Sequence, residues 1–123
     1  MKLFYLATGG ALGALLRYFL SGVVYKFIGT AFPYGTLTVN MAACFVMGFL
    51  MSLAETKLVL SPNIRVFLMI GFLGAFSTFS TFMFETDNLM RDSEMMKAFI
   101  NVGLSIFCGF LMLRLGVFAG KFL

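Results

Sequence analysis

Between Gly71 and Phe82 the chain reads Gly-Phe-Leu-Gly-Ala-Phe-Ser-Thr-Phe-Ser-Thr-Phe, which sets four hydroxyls, Ser77, Thr78, Ser80 and Thr81, into an apolar stretch. Hydroxyls and irregular backbone persist at membrane depth only where protein buries them or where they line an aqueous path. Glycines at 71 and 74 followed by the hydroxyl run predict a helix break near residues 74–78. A break bares carbonyls at the end of one half-helix and amides at the start of the next. The carbonyl end suits a cation and the amide end an anion. The competing reading is an unbroken helix whose hydroxyls bond back to the preceding turn. Phe76, Phe79 and Phe82 recur every three residues through the same run. They fit a packing face of a helix, or electropositive ring edges turned into a narrow path where they contact an anion without trapping it.

Other polar groups sit in apolar surroundings. Asn40 can turn its N–H donors to an anion or glue one helix to another. Asn101 and Ser105 lie one turn apart and so share a face. Arg17 either snorkels to an interface or supplies positive potential at a pore mouth. Glu85 closes the hydroxyl run, where it could cap, pair with a cation or guard an entrance. The chain has no histidine, which excludes a histidine metal site or proton relay. A proton-coupled carrier calls for a titratable group at mid-membrane, and the sequence sets amides and hydroxyls there instead. A neutral, donor-rich path favours passive conduction of a small, strongly hydrogen-bonding anion. The residues alone do not name it.

The elements that must hold these groups are membrane helices. Of 123 residues, 61% are hydrophobic and 11% charged, with a mean hydropathy of +1.01. That charge content cannot cover a soluble surface. A spanning helix takes ~20 apolar residues, so the chain accommodates four spans in a single transmembrane domain over residues 1–123. They are expected at about 3–28, 34–54, 64–84 and 96–118. Met1-Lys2-Leu3 superficially resembles a signal peptide, but the apolar run continues past Gly22 and is read as the first span. Phe32-Pro33 opens the second helix, and Ser61-Pro62-Asn63 opens the third with Ser61 as its cap. Residues Glu85–Lys97 are expected to be the long hydrophilic connection. Cys44 and Cys108 fall inside spans, as packing residues rather than a disulfide. Gly9 with Gly13, Gly71 with Ala75 and Gly116 with Gly120 are spaced for close helix packing.

Lysine and arginine at span ends normally set orientation. Four spans put Lys2, Lys57, Arg65 and Lys121 on one side, with Arg114 deeper, and Lys26, Arg91 and Lys97 on the other, with Arg17 deep in the first span. So even a distribution fits a chain that inserts both ways and pairs with an inverted copy, which would give an inverted-repeat architecture from one short chain used twice.

Four motifs in order, Gly9-Gly-x-x-Gly-Ala-x-x-Arg17-Tyr18, Phe32-Pro-x-Gly-Thr-x-x-Val-Asn40, Gly71-x-x-Gly74-Ala-Phe-Ser-Thr-Phe-Ser-Thr-Phe82-x-x-Glu85 and Asn101-Val-x-x-Ser105, resemble the CrcB/Fluc family of fluoride channels. The likeness touches all four spans, and its third-span signature is the specific part. It implies an all-α membrane protein with the third helix broken mid-membrane, in an antiparallel dual-topology homodimer in the cell inner or plasma membrane. It also implies two fluoride pores per dimer and no enzymatic activity. By that resemblance Phe79 and Phe82 line the pore, Asn40 donates to fluoride, Ser80 and Thr81 continue a polar track, and Ser105 joins it from the fourth helix. Arg17 would face an aqueous vestibule. The carbonyls of Gly74 and Ser77, from both copies, would hold a structural sodium ion. Ala75 stands where a second glycine is frequent in the family and Ser77 where threonine is usual. The expected partners are fluoride, a second copy and the bilayer, with no nucleic acid. Two rivals fit less. A small multidrug exporter wants an acid in the first span, which holds Arg17 instead. A scaffold subunit would gain little from burying four hydroxyls.

Overall fold

The computed structural model describes residues 1–56 and 61–122, and Lys57, counted above among the orienting charges, lies outside them. The described residues are helical almost throughout. Helix α1 is Lys2–Ile28, α2 is Tyr34–Thr56 and α3 is Pro62–Arg65. A π-helical segment, Val66–Phe72, leads into α4, Leu73–Phe76. Helix α5 is Phe79–Arg91 and α6 is Met95–Lys121. Among the described residues, four stretches are long and apolar enough to cross a membrane: Lys2–Ile28, Tyr34–Glu55, Pro62–Arg91 and Met95–Lys121.

Local chemistry sets the helix ends. Pro62 occupies the first turn of α3, and the Ser61 Oγ accepts from the Ile64 N–H at 3.2 Å, a proline start with a side-chain cap. Helix α1 stops at Gly29, whose φ of 102° lies in the left-handed region that a side chain would disfavour.

Glycine then decides which helices meet. A Cβ on Gly9 would overlap the carbonyl oxygen of Phe67, and one on Gly13 that of Phe72. Gly71 answers from the other side, where an added Cβ would lie 2.9 Å from the Leu6 carbonyl oxygen. Helix α1 is thus seated backbone against backbone on residues 66–76. The same device joins α2 to α6, with Gly48 against the Leu113 carbonyl and Gly116 against that of Phe45. Where lipid removes the hydrophobic incentive to associate, this close approach brings dispersion contacts that larger side chains would block. A small core of Val39, Ala43, Leu73 and Phe76 sits between α2 and α4. Phe76 stacks on Phe72 with centroids 5.9 Å apart and planes inclined by 7°.

The structure differs from expectation in two places. The connection expected over Glu85–Lys97 is mostly helix: α5 runs on to Arg91, and only residues 92–94 join it to α6. Residues 85–91 are polar but amphipathic. Thr86 and Leu89 are buried while Asp87 and Arg91, one turn apart, form an exposed ion pair at 2.8 Å. The second difference is the π-helical Val66–Phe72. Gly9 and Gly13 are one α-turn apart, whereas the carbonyls they meet, Phe67 and Phe72, are five residues apart, the repeat of a π-helix. The wider turn brings both carbonyls into register with both glycines.

Candidate functional site

Within the span Pro62–Arg91 the backbone leaves helical geometry at two residues. Ser77 has φ −81° and ψ 157°, and Thr78 has φ −150° and ψ 122°, both extended. Two sets of side-chain bonds hold this point. Ser77 turns its hydroxyl and its N–H back onto the Leu73 carbonyl, at 2.9 and 3.0 Å. Thr78 caps α5, its Oγ1 accepting from the Thr81 N–H at 3.3 Å.

The remaining backbone groups of Thr78 go to Asn40 on α2. The Thr78 N–H donates to Asn40 Oδ1 at 2.9 Å, and Asn40 Nδ2 donates to the Thr78 carbonyl at 3.1 Å. Asn40 therefore acts as interhelical glue and still keeps its second Nδ2–H. The glue and donor readings of this amide are compatible, since one N–H serves each. In an unbroken helix the Thr78 N–H would bond the Gly74 carbonyl; here it is directed to Asn40. Gly74 is exposed, and a Cβ built on it meets no atom within 4 Å.

Three cavities adjoin this point: one of about 470 Å³ lined by Ser77, Ser105 and mostly apolar side chains, and two smaller ones that hold the other polar residues. Of the smaller two, the first, about 240 Å³, lies between α2, the Ser77–Thr78 link, α5 and α6. It brings together Asn40, Ser77, Phe79, Phe82 and Ser105. Among the described residues the Ser105 Oγ, which is buried, has no hydrogen-bond partner, a costly state for a hydroxyl unless something polar enters the cavity. Phe79 and Phe82 meet edge to face with centroids 5.8 Å apart. Phe82 is 5% exposed and Phe79 72%. Phe76 is not part of this pair: it belongs to the core on the far side of Ser77–Thr78, so the three phenylalanines share no continuous helical face.

The second cavity, about 220 Å³, opens between α1, α2 and α5 and is lined by Arg17, Ser21, Thr36 and Thr81 among others. No acid pairs with Arg17 among the described residues. Thr78 lines both cavities and is the residue between them. Ser80 is exposed and lines neither.

Three partners were not foreseen from the sequence. The Tyr25 hydroxyl donates to Glu85 Oε2 at 2.8 Å, tying α1 to α5 across sixty residues, while the buried Glu85 Oε1 has no partner among the described residues. The Thr86 hydroxyl donates to the Phe82 carbonyl at 2.8 Å and accepts from Asn101 Nδ2 at 3.0 Å. Asn101 is 1% exposed and is not among the residues lining the cavity that holds Asn40 and Ser105. No spacing rule links 25 with 85 or 86 with 101; the amide of Asn101 in apolar surroundings was the hint of the second pair.

Comparison with known proteins adds the following. The model of the family described as CrcB-like protein, Camphor Resistance (CrcB), matches residues 4–117. A protein of Geobacter sp. (strain M21) is 49% identical over 105 residues, 85% of each chain. One from Desulforapulum autotrophicum is 42% identical over 120 residues, 98% of this chain and 96% of its own. A third, from Hydrogenovibrio crunogenus, is 43% identical over 121 residues, 98% of this chain and 92% of its own. All three relatives are named fluoride-specific ion channel FluC, and none is named as an enzyme.

Proposed function

The chain belongs to the CrcB-like family, and on that premise we propose that this multi-pass membrane protein is a passive, fluoride-selective channel that exports cytoplasmic fluoride. The observation that carries the reading is the first cavity, where the free N–H of Asn40, the unpartnered hydroxyl of Ser105 and the rings of Phe79 and Phe82 converge without any charged side chain. Fluoride is small and strongly hydrated, so it crosses only if donors replace its water. Neutral donors and ring edges do this while leaving binding weak enough for release. The second cavity is the vestibule in this reading. Arg17, free of any acid, raises the local anion concentration there, and Thr78 and Thr81 lead from it towards the first cavity.

Hydrogen fluoride, a weak acid, enters cells as the neutral molecule and ionises in the less acidic cytoplasm. A passive pore then suffices, because a negative-inside potential drives each fluoride outward by about 2.3 kcal/mol per 100 mV.

In the same reading the Ser77–Thr78 interruption lies at mid-membrane, and two copies pair antiparallel to enclose two pores. Three features support the pairing: the even spread of lysine and arginine, the exposed ring of Phe79, and the open face at Gly74. The carbonyls of Gly74 and Ser77 fit a sodium ion. They are hard oxygen donors at the C-terminal, electronegative end of a helix, and the Thr78 N–H that would ordinarily engage Gly74 is directed to Asn40. Bound there, sodium would join the two copies electrostatically.

The test is fluoride efflux from liposomes containing the purified protein, with chloride as the control anion and an ionophore to balance charge. Fluoride efflux without chloride leak is expected. Silence from a folded, dimeric preparation would overturn the reading.

A further inference from the structure

Phe82 is anchored by more than its own packing. Its carbonyl accepts the Thr86 hydroxyl at 2.8 Å, one turn on in α5, and that hydroxyl in turn accepts from Asn101 Nδ2 of α6 at 3.0 Å. Thr86 is 5% exposed and Asn101 1%, so water does not compete for either bond. The direction of the relay is fixed. A threonine hydroxyl has one hydrogen, and here it goes to the Phe82 carbonyl, so the bond with Asn101 must be accepted. Asn101 has no hydrogen bond into the cavity that holds Asn40 and Ser105.

We propose that Asn101 is a positioning residue for conduction: through Thr86 it holds the backbone of α5 at Phe82 against α6, and so sets the direction of the Phe82 ring, without touching the anion. This rests on the reading of Phe82 as a ring in contact with fluoride. The contact of an anion with an aromatic edge is directional, favourable at the rim and unfavourable over the face. A small rotation of α5 about its axis therefore alters the contact while leaving the helix intact. The bond from Asn101 ties this turn of α5 to α6. Phe79, three residues earlier, has no comparable tie to α6 and is exposed.

The experiment measures fluoride flux per folded channel in liposomes for Thr86→Val, Thr86→Ser, Asn101→Leu, the double variant Thr86→Val/Asn101→Leu, and Phe82→Ile. Thr86→Val keeps the shape and removes the relay, and a flux loss of about tenfold is expected, the size of one directional contact. Thr86→Ser keeps the hydroxyl and should retain flux. Asn101→Leu should fall with Thr86→Val, and the double variant should be no worse than either single one, because all three break one relay. A purely structural role would lower the yield of folded protein and leave flux per channel intact, which would overturn the proposal. So would additive losses in the double variant, or equal losses in Thr86→Ser and Thr86→Val. Full flux in Phe82→Ile would instead remove the underlying reading of Phe82, which keeps the two failures apart.

Discussion

The stretches before and after Ser77 lie in one span but are held by different physics. Residues 62–76 are fixed by shape: α1 meets them glycine to carbonyl at Gly9, Gly13 and Gly71, and Phe72 and Phe76 stack into the core. Residues 79–91 are fixed by directed bonds, Tyr25 to Glu85 and Asn101 through Thr86 to Phe82, with Asn40 at the joint. The first half is a wall of close backbone contacts and the second an arm tied by polar bonds. Shape contacts fail abruptly when one atom is added, whereas hydrogen bonds fail one at a time. Polar chemistry is therefore gathered where single substitutions can tune it.

The sharpest way to break this contrast is Gly13→Val in the wall. Its Cβ would overlap the Phe72 carbonyl, so the cost should exceed the about 3 kcal/mol typical of overpacking. Little monodisperse protein should survive size-exclusion chromatography; a normal elution profile would refute the shape argument. At the joint, Asn40→Asp keeps the acceptor for the Thr78 N–H but sets a carboxylate against the Thr78 carbonyl and removes both amide donors. Leaving that carbonyl unmet costs about 1–3 kcal/mol, so flux should fall about five- to a hundredfold, and normal flux in folded protein would contradict it. In the arm, Phe82→Ile should leave the helices intact by circular dichroism and lower fluoride flux about tenfold. The smallest effect belongs to Tyr25→Phe, which removes one hydroxyl from Glu85. Thermal unfolding should show about 1 kcal/mol of lost stability, with flux per channel unchanged; a collapse in flux would move Glu85 into the path.

The four apolar helices were legible because apolar run length and proline starts are local properties. Of the six residues the resemblance named for the pore, one cavity holds Asn40, Phe79, Phe82 and Ser105, while Thr81 lines another and Ser80 is exposed. What stayed hidden depends on partners distant in sequence. The π-helical Val66–Phe72 answers to glycines on α1. The helix beyond Glu85 reads as a loop by polarity, yet it buries Thr86 and Leu89 on one face. Asn40 could be read as donor or as glue until Thr78 was seen to use just one of its two N–H groups.

The amide of Asn40 stands in for a missing peptide group, offering Thr78 one donor and one acceptor as a neighbouring strand would. An unmet backbone group in hydrocarbon costs several kcal/mol. Here the repair comes from the same chain, in a helix synthesised before the one it mends. Both backbone groups of Thr78 are thus met within one chain, without help from any second copy.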